Sequence, residues 1–425
     1  MNNTIPKGYK QTELGVIPKD WDVRLFSFVF DMFPNNTFPR DCMNNSHGKV
    51  HNIHYGDILI KYPTIVDIEN YSLPYLNDYV KINRPKFVQS GDIIIADTAE
   101  DETVGKCVEI KNVSDEKIVA GLHTFFCRPV IPFVSGWLGY YINSSNYHNQ
   151  LLPYITGIKV SSISRTSIQD TKLLVPPLAE QKAIAEALSD VDNLILALDK
   201  KIAKKKLIKQ GAMQELLTGK KRLPGFNDEW VEKKLGEIGY LLNGYAFKSK
   251  MYNSFGKYKI ITIANVQKGR LILDDYNSIL SIPFDLQTHQ RLKKGDILIS
   301  MTGNVGRVCK VDVENCLLNQ RVGLFVLYKD KVDKSFIYTV LYASGFESAM
   351  IDSGQGAAQA NISKKDIERF KFVMPSSLKE QQAIANILSD MDREIEELEG
   401  KREKYRFIKS GMMQKLLTGQ IRLKQ

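Results

Sequence analysis

No stretch of this chain is apolar for long. The best candidate, Val130 to Ile142, is interrupted by Pro132, Gly136 and Gly139 and falls short of the roughly 20 residues that cross a bilayer. The opening Met1-Asn2-Asn3-Thr4 is polar and has none of the apolar core of a signal peptide, so a cytoplasmic protein is expected. Cysteine is scarce: Cys42, Cys107, Cys127, Cys309 and Cys316 form no CxxC pair, and their odd number fits a reducing compartment better than a disulfide framework. No GxxxxGK[ST] phosphate loop occurs, which argues against ATP hydrolysis by this chain. Cys42, His47, His51 and His54 are plausible zinc donors, but the second closely spaced pair of a structural site is missing, so no metal is expected.

What is present is an ordinary globular composition with a basic excess. Of 425 residues 43% are hydrophobic, mean hydropathy is −0.23, and 58 Lys and Arg face 48 Asp and Glu, a net charge of +10. That balance suits a nucleic-acid partner without deciding it. The length allows two or three domains, each with its own core.

An internal repeat organises the rest. Glu180-Gln181-Lys182-Ala183-Ile184-Ala185 returns as Glu380-Gln381-Gln382-Ala383-Ile384-Ala385, and Leu216-Leu217-Thr218-Gly219 returns as Leu416-Leu417-Thr418-Gly419, at a constant offset of 200. The preceding segments share only a skeleton: Gly91-Asp92-Ile93-Ile94-Ile95 against Gly295-Asp296-Ile297-Leu298-Ile299, Val104-Gly105-Lys106 against Val305-Gly306-Arg307, and the opening Trp21 and Trp230. The chain is therefore a duplicated unit in which each copy joins a variable block to a nearly constant one.

The constant block reads as a long helix preceded by proline. Ile184, Leu188, Val191, Ile195, Leu198 and Ile202 are spaced 4-3-4-3-4, and Ile384, Leu388, Met391, Ile395 and Leu398 repeat the pattern, which is the period of a coiled-coil seam. The seam falters at Lys205 and Arg402, where Ile208 and Ile408 stand one position out of phase. A helix from Glu180 to Leu217 would be about 55 Å long at roughly 1.5 Å per residue. An exposed apolar stripe needs a partner, and the second copy supplies it; two-fold duplication makes the pair antiparallel. The variable blocks read as mixed α+β, with strand language at Gly91 to Ala96, Ile260 to Ala264 and Leu324 to Leu327 and a helix at Phe336 to Tyr342. The expected division is 1–175, first variable domain with its lead-in; 176–222, first long helix; 223–374, second variable domain; and 375–425, second long helix.

Together these features resemble the specificity subunit of type I restriction–modification systems. The resemblance rests on the two Glu-Gln-x-Ala-Ile-Ala motifs after Val175-Pro176-Pro177-Leu178 and Met374-Pro375, on both Met-Gln-x-Leu-Leu-Thr-Gly endings, and on Thr12-Glu13-Leu14-Gly15-Val16-Ile17-Pro18 followed by Trp21. It implies an α+β fold with two pseudo-two-fold-related target-recognition domains joined by a pair of long antiparallel coiled-coil helices. It further implies double-stranded DNA as ligand, each variable block reading one part of a split, asymmetric target. Partners would be two modification subunits, which bind S-adenosylmethionine and methylate adenine, and restriction subunits, which use ATP; neither cofactor is expected on this chain, which would be non-catalytic. The absence of an Asn-Pro-Pro-Tyr or Asp-Pro-Pro-Tyr motif of adenine methyltransferases agrees with that reading. The alternative is a stand-alone DNA- or RNA-binding protein that dimerises through its coiled coil.

Phosphate contacts supply affinity and base edges supply specificity, so loops rich in Arg, Lys, amides and hydroxyls are the candidates for DNA contact. In the first variable block these are Asn35, Asn36, Thr37, Arg40, Asn44, Asn45, His123 and Thr124, with Lys159, Ser161, Ser162, Ser164 and Arg165 on a second loop. In the second they are Tyr245, Lys248, Thr302, Gly303, Asn304, Arg307, Asn319, Gln320 and Arg321. Gln355, Gln359, Asn361, Ser363, Lys364 and Lys365 match the 159–165 loop in position. Asn and Gln can pair bidentately with adenine and Arg with guanine. The lysines Lys200, Lys201, Lys204, Lys205, Lys206, Lys209, Lys220 and Lys221, with Arg222, suit a solvated helix face, contact with DNA across an unread spacer, or an acidic partner.

Overall fold

A computed structural model describes residues 5–157, 159–274, 276–328, 332–354 and 360–423. Gln355 and Gln359 lie outside the described residues. Packing forms two compact units, residues 1–199 with 400–425, and residues 200–399. Each unit unites one variable head with about half of each long helix, because the helices pack into the cores of the heads.

In the first unit the head is built on a five-stranded sheet ordered Phe30–Phe33, Thr124–Pro129, Ile93–Ala96, Cys107–Lys111 and Ile65–Asp67. Its central strand is apolar at every position because both faces are covered. Ile93 and Ile95 point to a core with Trp21, Trp137, Tyr141, Ile184 and Leu188. Ile94 and Ala96 point to a second core with Ile53, Ile58, Ile118 and Phe126. The second core lies against a four-stranded sheet ordered Ile118–Ala120, His51–Ile53, Tyr75–Leu76 and Met43–Asn44.

The second unit repeats this plan. Gly239–Asn243, Val322–Leu327, Ile297–Ser300 and Val308–Lys310 form one sheet; Ser278–Ile279, Tyr258–Ile261, Cys316–Leu318 and Arg291–Leu292 form the other. Ile297 and Ile299 enter a core with Phe336, Ile384 and Leu388, while Leu298 enters one with Ile261 and Leu318. The strand expected to reach Ala264 ends at Ile261, where the Asn265 side chain accepts from the Thr262 amide and turns the chain. The helix expected at Phe336 runs over Lys334–Tyr342, with Asp333 as its cap.

The long helices are Leu178–Leu216 and Leu378–Leu416. Within each unit they pair antiparallel. In the first, Lys409 pairs with Asp192 at 2.6 Å and Arg402 with Asp199 at 3.1 Å. In the second, Lys205 pairs with Glu394 at 2.7 Å, Lys206 with Glu399 at 2.6 Å, and Lys209 with Asp392. The acidic partner considered for the lysine run is therefore the other helix of the chain itself, at least for these three lysines. The faltering of the seam at Lys205 and Arg402 is the place where apolar contact gives way to ion pairs.

The repeated Glu-Gln pair joins heads to helices. In the first unit the buried Glu180 accepts from the Trp21 indole at 2.8 Å and from Arg422, which closes on it with two nitrogens at 3.0 and 2.6 Å. In the second, buried Glu380 accepts from Arg222 at 2.8 and 2.9 Å and from the Trp230 indole at 3.4 Å. Gln181 accepts from the Val134 amide and donates to the Pro176 carbonyl; Gln381 does the same with Asp333 and Pro375. The closing glycines serve the same junctions. Gly219 and Gly419 have left-handed backbones (φ 71° and 69°), and a Cβ would meet Trp230 at 3.0 Å or Pro18 at 2.4 Å, so only glycine ends these helices here.

One buried carboxyl is expected to make the stability of the first unit depend on pH. Glu109 accepts from the amides of Gly136 and Gly139 at the start of the Trp137–Ile142 helix, yet burial outweighs those bonds and pushes it up to about 7. A carboxyl raised in the fold favours the neutral form. Its stabilising contribution is therefore complete below the unfolded value near 4.5 and is lost as pH rises through about 7. The first unit is expected to lose up to roughly 3 kcal/mol across that window. Glu109→Gln, which gives up one amide bond, should melt lower in acid but with a flat pH profile. Thermal unfolding from pH 4.5 to 7.5 checks this; an unchanged slope in the variant would show that other groups carry it.

Candidate nucleic-acid interface

Each head carries a polar rim where the ends of three chain segments meet, and the two rims are built alike. In the first head the Asn36 amide donates to the Ala120 carbonyl, Asp97 to that of His123, and Ile163 to that of Asp97. In the second the Tyr245 amide donates to Leu318, Met301 to Arg321, and Ile362 to Met301. Thr98 pairs with Ser162 in the first rim and Thr302 with Asn361 in the second. The same backbone frame thus presents Asn36, Thr98, His123 and Ser162 in one head and Tyr245, Thr302, Arg321 and Asn361 in the other.

In the first rim the left-handed backbone of His123 (φ 55°) holds its Nδ1 3.3 Å from Asp97 Oδ1 and 3.3 Å from the Thr98 hydroxyl. Its ring meets Tyr55 edge-on at 5.3 Å. Arg40 grips the buried Asp57 with both terminal nitrogens at 2.8 and 2.7 Å, which raises its pKa further. His54 caps the Tyr55–Ile60 helix by accepting from the Gly56 amide; burial, then Arg40, hold its pKa below the ordinary 6.5, so its neutral form is favoured.

Several expected contact residues turn out to build the rim. Asn36 donates to Ala120 and Asn52 and accepts from the Phe38 amide, and Asn35 donates to Gly121. Thr124 is buried with its hydroxyl on the Gly121 carbonyl. Ser164 and Ser363 cap the short helices that follow them. Thr37, Asn45 and Lys159 are exposed, Ser161 pairs with Ala99, and Arg165 donates to the Met32 carbonyl. Asn44 lies on the edge of the four-stranded sheet, bonded to Asn77 at 2.7 Å.

In the second rim Gln320 and Arg321 are exposed, while Asn319 is buried and accepts from the Arg321 amide. Tyr245 donates to Asp285, and Thr302 donates to Asn361 at 2.9 Å. Gly303 donates to Ala360, and the Asn304 carbonyl accepts from Ser300. Arg307 turns inward to Gln267, with Glu347 3.9 Å from it. Lys248 and Lys365 are exposed, and Lys364 lies 3.5 Å from Glu368 on its own helix. Asp97, Thr98 and Tyr55 were missed as rim residues. Thr98 was within reach, since counting on from the shared Gly-Asp-Ile motif aligns it with Thr302.

The histidines considered as zinc donors have other partners: His51 reaches the Leu73 carbonyl and packs on Tyr75, and His47 contacts Ser46. Among the described residues no group of three or more His, Cys, Asp or Glu is placed to hold a metal ion, and no helix is long and apolar enough to cross a membrane.

Two heads of one design, each bonded into a long antiparallel helix pair, define a duplicated DNA-specificity architecture. The chain belongs to the type I restriction modification DNA specificity domain family, which it matches twice, over residues 18–209 and 227–404. It is 29% identical over 437 residues to a chain named as the type I restriction enzyme MjaX specificity subunit of Methanocaldococcus jannaschii, covering 98% of this chain and 97% of that one. It is 28% identical to the EcoKI specificity subunit of Escherichia coli K12, covering 61% of this chain and 59% of that one. Among solved structures, the type I restriction–modification S subunit of M. genitalium superposes with a TM-score of 0.56 at 15% identity, covering 93% of this chain and 96% of that one. A chain from a structure of type I system assembly and conformational transition gives 0.57 at 16%, covering 95% and 99%. These two likenesses show the shared fold.

Proposed function

We propose that the chain is the DNA-recognition subunit of a type I restriction–modification complex, reading an asymmetric, interrupted target with its two heads. The observation that carries this reading is the pair of rims: one backbone frame, repeated, with different side chains at equivalent positions. Dissimilar rims read dissimilar half-sites, and the length of the helix pair sets the gap between them. Adenine methylation and restriction belong to the partner subunits, two modification subunits with S-adenosylmethionine and restriction subunits with ATP. The chain itself contributes position and no chemistry. The antiparallel helix pairing lies within one chain, which removes the need for a second copy on which the stand-alone dimer depends.

The test is co-expression with the modification subunits, followed by sequencing of methylated adenines. The expected result is one bipartite motif, and exchange of residues 20–175 for those of another family member should replace one half-site only. Methylation of both halves at new sequences, or methylation by the purified chain alone, would overturn the reading.

A further inference from the structure

Beside the second rim, loops 245–258 and 278–286 enclose a small apolar core of Phe247, Ile260, Ile279, Leu286 and Leu317. The two loops are tied together: the Asn253 amide donates to the Ser278 carbonyl at 2.8 Å, and the Ser278 hydroxyl to the Asn253 carbonyl at 2.6 Å. Three large apolar side chains stand outside this core, Phe284 at 103% exposure, Phe255 at 90% and Leu280 at 62%. The turn that carries Phe284 is braced at its next residue, where Asp285 accepts from the Tyr245 hydroxyl at 2.9 and 3.1 Å, and by the Leu286 amide on the Pro283 carbonyl. A braced backbone under a bare aromatic ring is what a wedge requires.

Charge identifies the occupant. From Gly239 to Leu273 the chain has no Asp or Glu and carries five Lys and one Arg. Lys248, Lys250 and Lys257 lie exposed on the loop that bears Phe255. Two carboxylates flank these loops, Asp285 held by Tyr245 and Asp274 held by Asn265 and Asn277, against the five Lys and one Arg of the 239–273 stretch. A cationic loop beside an apolar tip matches a polyanion with stacked apolar layers, which is duplex DNA; apolar side chains inserted between base steps kink the duplex at the cost of unstacking.

We propose that Phe284, helped by Phe255 on the loop tied to its own, inserts between base pairs at or next to the second half-site, so that this head reads deformability of the duplex in addition to its base edges. The proposal rests on the DNA-recognition reading of the second head. Its test uses the complex of the full chain with its modification subunits and duplexes carrying the mapped target, with 2-aminopurine placed in turn at each step. The wild-type complex should raise fluorescence at one step in or beside the second half-site. Phe284→Ala should abolish that rise and weaken binding about tenfold, whereas Phe284→Leu, which keeps an apolar tip, should retain most of both. Phe255→Ala should reduce the same signal. Tight binding with every step stacked overturns the wedge alone, as does a Phe284→Ala complex with undiminished affinity and signal. A wild-type complex that binds no duplex overturns the recognition reading as well. Loss of co-purifying modification subunits from Phe284→Ala, with DNA affinity intact, would assign the patch to a protein partner instead.

Discussion

Adding one turn to both long helices, about four residues each, is expected to widen the unread gap of the DNA target by about one to two base pairs while both half-sites stay as they were. One turn adds about 6 Å of helix, against about 3.4 Å per base-pair step. The insertions belong after Asp199 and after Glu399, where each helix passes from one compact unit to the other. Nearby the contacts are ion pairs such as Arg402 with Asp199 and Lys206 with Glu399, which tolerate the roughly 40° change of phase better than interlocked apolar side chains do. Both helices must be lengthened, since a single insertion would throw the ion pairs on one side out of register. Methylation at the original gap should fall at least about tenfold, because a missed half-site forfeits several base contacts of about 1–3 kcal/mol each. Sequencing methylated adenines in cells that carry the variant decides it: new half-sites with an unmoved gap would refute the ruler.

Loss of Arg422 is expected to be the most damaging single change at the surface of the first unit. It leaves the buried Glu180 carboxylate with only the Trp21 indole. Breaking a buried pair by removing one partner costs about 3–5 kcal/mol, and since Arg422 is itself partly exposed the lower end applies, about 3 kcal/mol. Arg422→Lys should recover part of this, because an ammonium cannot reach Glu180 and Asp20 together as the guanidinium fork does. Arg222→Ala should have the equivalent effect in the second unit, where Glu380 is completely buried. Urea denaturation followed by tryptophan fluorescence measures both, since Trp21 and Trp230 sit on the affected carboxylates. If Arg422→Ala and Glu180→Gln unfold at the wild-type urea concentration, the junction does not depend on charge.

The repeat was legible because its constant parts are local. Glu-Gln, the 4-3-4 seam and Leu-Leu-Thr-Gly each occupy neighbouring residues on or just past one helix; their period specifies a helix that needs a mate, and the duplication makes that mate antiparallel. The reason for Glu180 was hidden, because its partners Trp21 and Arg422 are 159 and 242 residues away in the chain. The same holds for the lysines of the first helix, three of which proved to be ion-paired to the second helix.

The heads were legible as strands and turns and much less so as surfaces. Loop composition selected His123, Arg321 and Asn361, which the fold brings to the rims, together with Thr124 and Asn319, which it buries, and Arg307, which it bonds to Gln267. Composition reports what a loop could donate, whereas the sheet register decides what is already donated to a neighbour. Sequence by itself determined the duplication, the long helices with their seam, and the family, all of which rest on contacts between residues close in the chain or on a pattern stated twice. Only the tertiary structure decided which side chains share a rim, that Asn36 and Tyr245 occupy equivalent places, and that Phe284 stands bare beside one of them. Those relations depend on strand pairing across some 60 to 85 residues, and no local period encodes such a pairing.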